Sequence, residues 1–180
     1  MYSLIKASTE IIMRKSPSRA LLTKTPLAMA LGVYFLVLVL PVSKLFIAPD
    51  QNAGYPIADL FLISLLALAS MLLMEFWFLN IYARQKFSLK EVFVLHVLFA
   101  AAPTIVYWGI YIITSFSGMG AVVSGVVEVT FGIYMLFAYH KAIVDIARIS
   151  KSEAVTVILV RIVTPSVVNI AGIVLLLPAA

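Results

Sequence analysis

Four ionisable side chains interrupt long apolar stretches of this sequence: Glu75, His96, Glu128 and Arg161. A charged group inside a membrane span costs free energy, so each is a candidate for function or for pairing. Glu75 and Arg161 each lie about seven residues from the end of an apolar stretch, which is a depth of about 10 Å at ~1.5 Å rise per residue. We expect these opposite charges to pair inside a helix bundle. The alternatives are a cavity that binds an ion or a lipid headgroup, and side chains that reach water by snorkelling.

Glu128 lies near the middle of its apolar stretch, in a column at i+4 spacing with Gly120, Ser124 and Gly132. Small residues at this spacing allow another helix backbone to approach closely, which predicts a helix-packing groove. Burial favours the neutral form of a carboxyl group, and Asn169 at similar depth is a possible hydrogen-bond partner. We therefore expect Glu128 to be a protonated packing residue, with a proton or cation relay as the alternative.

Arg161, Pro165, Asn169 and Gly172 fall on one face of the last apolar stretch, and this face is expected to point into the bundle. His96 is expected to be a hydrogen-bonded helix residue. No two histidines have the His-x3-His spacing of a metal site, so we expect no metal and no cofactor.

The remaining chemistry is limited by composition. The chain contains no cysteine, which excludes disulfides and thiolate sites. It contains no Gly-rich phosphate loop, no His-Glu-x-x-His and no Gly-x-Ser-x-Gly motif, so it is not expected to be an enzyme. The net charge is +5, but the basic residues are scattered between apolar stretches, which argues against nucleic-acid binding.

The elements that hold these residues are predicted to be transmembrane helices. Hydrophobic residues make up 63% of the chain and charged residues 12%, and a soluble domain of 180 residues could not bury that much apolar surface. The sequence predicts an all-α integral membrane helical bundle of about five spans in one domain, 26–180, after a basic segment, 1–25. The predicted spans are 26–47, 57–82, 92–116, 121–139 and 154–177.

Lys and Arg occur in segment 1–25 and in the second and fourth connections, whereas the first loop, the third loop and the carboxyl terminus have none. This alternation predicts that the amino terminus is cytoplasmic and the carboxyl terminus lies outside. Segment 1–25 also predicts a short amphipathic helix on the membrane surface. Ser88 and Glu91 predict a capping box at the start of the third span.

This layout resembles the prokaryotic type of the Yip1-domain family of multi-pass membrane proteins. The resemblance rests on the loop Phe87–Lys90 before a span that contains Ala102-Pro103, on the aromatic segment Tyr134–Tyr139 followed by Lys141, and on Ile149–Ala154 before the last span. It implies five spans and a scaffold or membrane-organising role, and it transfers no catalytic residues.

We therefore expect a non-enzymatic scaffold that acts through helix–helix and lipid contacts, in the cytoplasmic membrane of a prokaryote or the endomembranes of a eukaryote. Its partners would be the lipid bilayer and other membrane proteins or further copies of itself. One alternative is a small transporter or ion-conducting subunit that uses Glu128, Glu75 and Arg161. Another is an accessory subunit of a larger energy-converting membrane complex.

Overall fold

The computed structural model describes residues 2–13, 15–47, 57–115 and 120–176, and these ranges contain helices and no strand. The helices are α1 (Tyr2–Ile12), α2 (Arg19–Lys24), α3 (Leu27–Ile47), α4 (Ile57–Tyr82), α5 (Leu89–Ser115), α6 (Gly120–Ala147) and α7 (Lys151–Leu176). Helices α3 to α7 correspond to the five predicted segments. The first loop and most of the third turn fall outside the described residues.

Four stretches of these helices are long and apolar enough to cross a membrane: Phe61–Tyr82, Leu89–Ile110, Gly125–Ala147 and Lys151–Leu175. Helix α3 contributes a shorter apolar stretch, Leu27–Val37. The chain is therefore a helical bundle whose composition is compatible with a membrane, as the sequence predicts.

Capping boxes start two of the long helices. The backbone N–H of Ser88 donates to Glu91 Oε2 at 2.7 Å, and the N–H of Glu91 donates back to Ser88 Oγ at 3.2 Å. This confirms the predicted box. Ser150 and Glu153 form the same reciprocal pair at 2.7 and 3.3 Å, and this second box was not predicted. Because each box satisfies amide groups of a first turn, α5 and α7 begin about one turn before the predicted starts of their spans, at 92 and 154.

Helix α6 continues to Ala147, well past the predicted end of its span at 139. The added turns are amphipathic: Ala142, Ile143 and Ile146 are buried, whereas Asp145 is exposed. An apolar stripe is enough to continue a helix when the overall hydropathy falls, so the end of the apolar stretch did not mark the end of the helix. The helix then stops at Arg148, whose φ of 54° is in the left-handed region common at helix ends.

Helix α5 lies at the centre of the bundle, with α1, α2, α3, α4 and α6 all packed against it. Most of its side chains between residues 92 and 102 are accordingly buried, as at Val92, Val94 and Leu98. Helix α7 lies at the edge, where it packs on α4 and α6. The apolar side chains that α7 exposes, among them Leu159 and Val163, are compatible with a surrounding bilayer.

Polar contacts fasten the amino-terminal segment to one end of the bundle. Arg19 donates to the side chain of Gln85 at 2.8 Å, to the carbonyl of Lys86 and to Glu91 Oε1 at 3.3 Å. Ser16 Oγ donates to Asp145 Oδ2 at 2.5 Å, which ties the same segment to α6. We call this end, formed by residues 15–24, 84–91 and 145–151, the basic end.

Helix α1 forms as predicted, but it packs along the side of α5 instead of lying across the end of the bundle. Leu4, Ser8 and Ile11, at i, i+4 and i+7, are its buried face. Ser8 contacts Leu98, which is about 14 Å along α5 from the start of that helix at Leu89. The expected surface location therefore differs from the packing that the structure shows.

The Ser8 hydroxyl explains this packing. Its Oγ donates to the carbonyl of Leu98 at 2.5 Å and accepts the N–H of Ala102 at 2.9 Å. Those two backbone groups are the i and i+4 pair of one turn of α5, immediately before Pro103, which has no N–H to donate. Ser8 thus bonds to both backbone groups of a turn next to a proline, a site at which helices commonly bend.

We expect Ser8→Ala to lower the free energy of unfolding by about 1–3 kcal/mol, because α1 loses two buried hydrogen bonds to α5, each with a net contribution of about 0.5–1.5 kcal/mol. The measurement is thermal unfolding in detergent, followed by circular dichroism. The control is Ser166→Ala, which removes an exposed hydroxyl bonded at 2.9 Å to the Ile162 carbonyl of its own helix and should cost less than about 0.5 kcal/mol. Equal losses at the two positions would contradict a stabilising role for the α1–α5 contact.

Candidate functional site

The side chain of Arg161 in α7 is the centre of a polar cluster inside the bundle. Its Nη1 donates to Glu75 Oε2 at 2.6 Å and to the Tyr139 hydroxyl at 3.3 Å. Its Nη2 donates to Nδ1 of His96 at 2.9 Å. The guanidinium carbon also lies 4.3 Å from the centroid of the Tyr139 ring. The Glu75–Arg161 pair that matching depth and opposite charge predict is therefore present.

All five long helices contribute to this cluster, which we call the Arg161 cluster. Helix α4 supplies Glu75, α5 supplies His96, α6 supplies Tyr139 and α7 supplies Arg161. Tyr34 of α3 lies against His96, with 5.9 Å between the ring centroids. The Tyr139 ring is held edge-on by Phe99 of α5 at 4.6 Å. The cluster therefore joins helices that are distant in the sequence.

The electrostatics of the cluster are nearly balanced. Glu75 is fully buried and the Arg161 side chain is 15% exposed, so the two charges neutralise each other in a region of low dielectric. Arginine can only donate hydrogen bonds, so Nδ1 of His96 must be the unprotonated nitrogen of that ring. His96 is thus neutral and adds no second positive charge beside Arg161.

One atom of the cluster stays unsatisfied. Glu75 Oε1 is buried and has no hydrogen-bond partner among the described residues. A buried carboxylate oxygen without a partner is costly, and a water molecule or a proton would satisfy it. Apart from this oxygen, the chemistry of the cluster is that of a neutral, closed ion pair with hydrogen bonds on both sides.

Asn169 corrects one expectation. Arg161 and Gly172 point into the bundle as predicted for this face of α7, but Asn169 is exposed. Residues eight apart on a helix differ by about 80° in direction. Because α7 packs chiefly on α4, this angle is enough to turn Asn169 away from the bundle. The side chain of Glu128, its expected partner, lies outside the described residues.

The expected close approach at the α6 glycines is not found within the molecule at Gly132. Gly132 is exposed, and a Cβ placed on it would meet nothing within 4 Å. The close approach is instead at Gly172, where a Cβ would come within 2.8 Å of Ile63 in α4. Small residues thus bring α7 against α4. The side chain of Ser124 and the surroundings of Gly120 are not described.

Sequence reasoning missed Tyr139 because the predicted end of its span put this residue at the membrane border. With α6 ending at Ala147, Tyr139 lies about 12 Å inside the helix end, close to the depth estimated for Arg161. The amphipathic pattern after Tyr139 was the signal that could have placed it. Tyr34 carried no such signal, since it is one aromatic residue in an apolar helix.

No protein-family model, no curated protein and no solved structure matches this chain. The resemblance to the Yip1-domain family consequently depends on the sequence features alone. Within the described ranges, no three His, Asp or Glu side chains are grouped in a way that could hold a metal ion.

The Glu75–Arg161 interaction can be measured with a double-mutant cycle. Glu75→Gln and Arg161→Gln should each destabilise the protein by about 3–5 kcal/mol, because each leaves an unpaired charge in the bundle. The double variant removes both charges, so it should be more stable than the sum of the single losses predicts by about 1–3 kcal/mol. The measurement is the unfolding midpoint in detergent.

The control for that cycle is Arg148→Gln, which removes an exposed arginine at the basic end and should change stability by less than about 0.5 kcal/mol. Strictly additive losses in the double variant would show that the two charges do not interact.

Proposed function

We propose that this protein is a non-enzymatic multi-pass membrane protein that acts as a scaffold through contacts with lipids and with other membrane proteins. The observation that carries the proposal is that the described charges inside the bundle, on Glu75 and Arg161, pair with each other. Arg161 is engaged by Glu75, Tyr139 and His96 together. A cluster of this kind holds helices together and leaves little charge with which to act on a substrate.

The same observation argues against an ion-conducting path through Glu75 and Arg161. Charged groups that serve conduction face a water-filled cavity or pore. Glu75 has no exposed side-chain area, and it is held at 2.6 Å by a cation. Its environment suits a structural ion pair better than a binding site for a moving ion.

An exposed cleft between α5 and α6 supports contacts with other helices. It has a volume of about 330 Å³, and its lining includes Pro103 and Tyr107 of α5 and Gly132 of α6. The open space above Gly132 allows the backbone of another helix to approach there. The proposed packing role of the α6 glycines would then be directed at a partner or a second copy.

Five spans with a cytoplasmic amino terminus are part of the proposal. Many basic residues lie at the basic end, among them Arg19, Arg84, Lys86, Lys90 and Lys151. Cytoplasmic connections of membrane proteins carry such an excess of Lys and Arg. The layout that resembles the prokaryotic Yip1-domain proteins also has five spans.

Labelling of single cysteines tests this topology without removing any native thiol, since the chain has no cysteine. In intact cells or right-side-out vesicles, an impermeant maleimide should label Asn52→Cys and Ser117→Cys. It should reach Arg84→Cys and Ser152→Cys only after the membrane is permeabilised. The opposite labelling pattern would reverse the orientation, and equal labelling at positions 52 and 84 would exclude a span between them.

Proteoliposomes distinguish the scaffold from a transporter. We expect the wild type and Glu128→Gln to give no flux of protons or potassium above empty liposomes, measured with a trapped pH dye and a potassium electrode. We also expect the two proteins to elute identically in detergent, because Gln keeps a hydrogen bond in a packed helix. Wild-type flux that disappears in a folded Glu128→Gln protein would overturn the proposal.

Gentle extraction of the tagged protein from its native membrane addresses the remaining alternative. Stoichiometric copurification with the catalytic subunits of an energy-converting complex would identify it as an accessory subunit.

A further inference from the structure

A groove at the basic end has the shape and charge of a lipid-binding site. Helices α3 and α4 pack on α5 more than on each other, and the space between them is a groove of about 390 Å³. Its walls are Leu27 and Leu31 of α3 and Leu72 and Leu73 of α4, and Phe93 of α5 forms its floor. Its surface is almost entirely apolar.

The groove lies within the depth of one leaflet of a bilayer. It starts beside Leu89 and Lys90, in the first turn of α5, and reaches Ala69 on α4. Ala69 lies about 20 Å along α4 from the end of that helix at Tyr82. Half of a hydrocarbon core is about 15 Å thick, so Lys90 lies at the headgroup level and Ala69 lies near the bilayer centre.

The positive charge at the end of the groove near the first turn of α5 favours an anionic lipid. Lys90 lines the groove, and its Nζ donates to the carbonyl of Thr23 at 2.7 Å, which is a neutral acceptor that leaves the positive charge uncompensated. An ammonium group has three donors, so others remain for a phosphate oxygen. Lys24, the next residue after Thr23 in the chain, is exposed and adds a second positive charge to this segment.

The neighbouring acid does not cancel this charge. Glu91 is directed to Ser88 and to Arg19, with its Oε1 3.3 Å from Nε of Arg19. The rim of the groove is therefore cationic, whereas its interior is apolar. Basic clusters at the headgroup level attract anionic lipids.

We propose that the groove between α3, α4 and α5 holds one acyl chain of an anionic phospholipid, whose phosphate is bound by Lys90 with help from Lys24. This proposal rests on the proposed membrane location and deepens it, because it assigns a lipid class to one site. A lipid chain bound between α3 and α4 would also fix the distance between these two helices, which have little contact with each other.

The test is native mass spectrometry of the full-length protein, purified in detergent and supplied with equal concentrations of dioleoyl phosphatidylglycerol and dioleoyl phosphatidylcholine. We expect one phosphatidylglycerol per chain to be retained in preference to phosphatidylcholine. Lys90→Gln should lower its affinity about fivefold, since one basic residue near the surface contributes about that factor. Lys90→Arg should retain binding, which separates loss of charge from loss of fold.

A second variant tests the groove itself. Ala69→Leu places a larger side chain in the deep part and should reduce retention of phosphatidylglycerol at least as much as Lys90→Gln. Ala171→Leu, an equal enlargement at an exposed position of α7, should have no effect. Loss of binding in Lys90→Gln with full binding in Ala69→Leu would mean adsorption to the basic surface, and it would overturn the groove proposal, as would equal retention of the two lipids.

Alkaline carbonate extraction of native membranes tests the proposed membrane location independently of lipid binding. A chain that stays in the membrane pellet but shows no lipid preference refutes the lipid site alone. A chain released by carbonate would refute both proposals.

Discussion

The arrangement of the long helices depends on the neutralisation of Arg161 inside the bundle. A guanidinium in an apolar environment needs a counter-charge and several acceptors, and no single helix of this chain offers them. Glu75, His96 and Tyr139 come from three other helices, so satisfying one cation fixes α4, α5 and α6 relative to α7. This constraint is directional, whereas the burial of apolar surface between helices is not.

The helices themselves were predictable because their signals are local. Apolar length gave the positions of α3 to α7, and Ser88 with Glu91 gave the start of α5. The predicted end of the fourth span, at 139, was wrong for α6. The last turns of this helix depend on an amphipathic stripe, which overall hydropathy does not detect. The packing of α1 was not predictable, since it depends on one hydroxyl, at Ser8, that finds backbone partners ninety residues away in α5.

The candidate site was predictable only in part. Opposite charges at equal depth identified Glu75 and Arg161, because an intramembrane charge restricts the choice of partner. The direction in which Asn169 points depends on which helix α7 packs against, and the sequence carries no local signal for that choice. The same holds for Gly132 and Gly172: small residues allow close approach, but tertiary packing decides which one is used.

The bridge from Ser8 to α5 has a consequence for biosynthesis. A ribosome releases α1 first, but the Leu98 and Ala102 groups that receive Ser8 emerge only after α3 and α4 have been made. Until then the Ser8 hydroxyl has no backbone partner in α5, and α1 lacks the helix on which it docks. Docking of α1 is thus a late step of maturation, and a nascent chain truncated before α5 should keep its first residues accessible to protease.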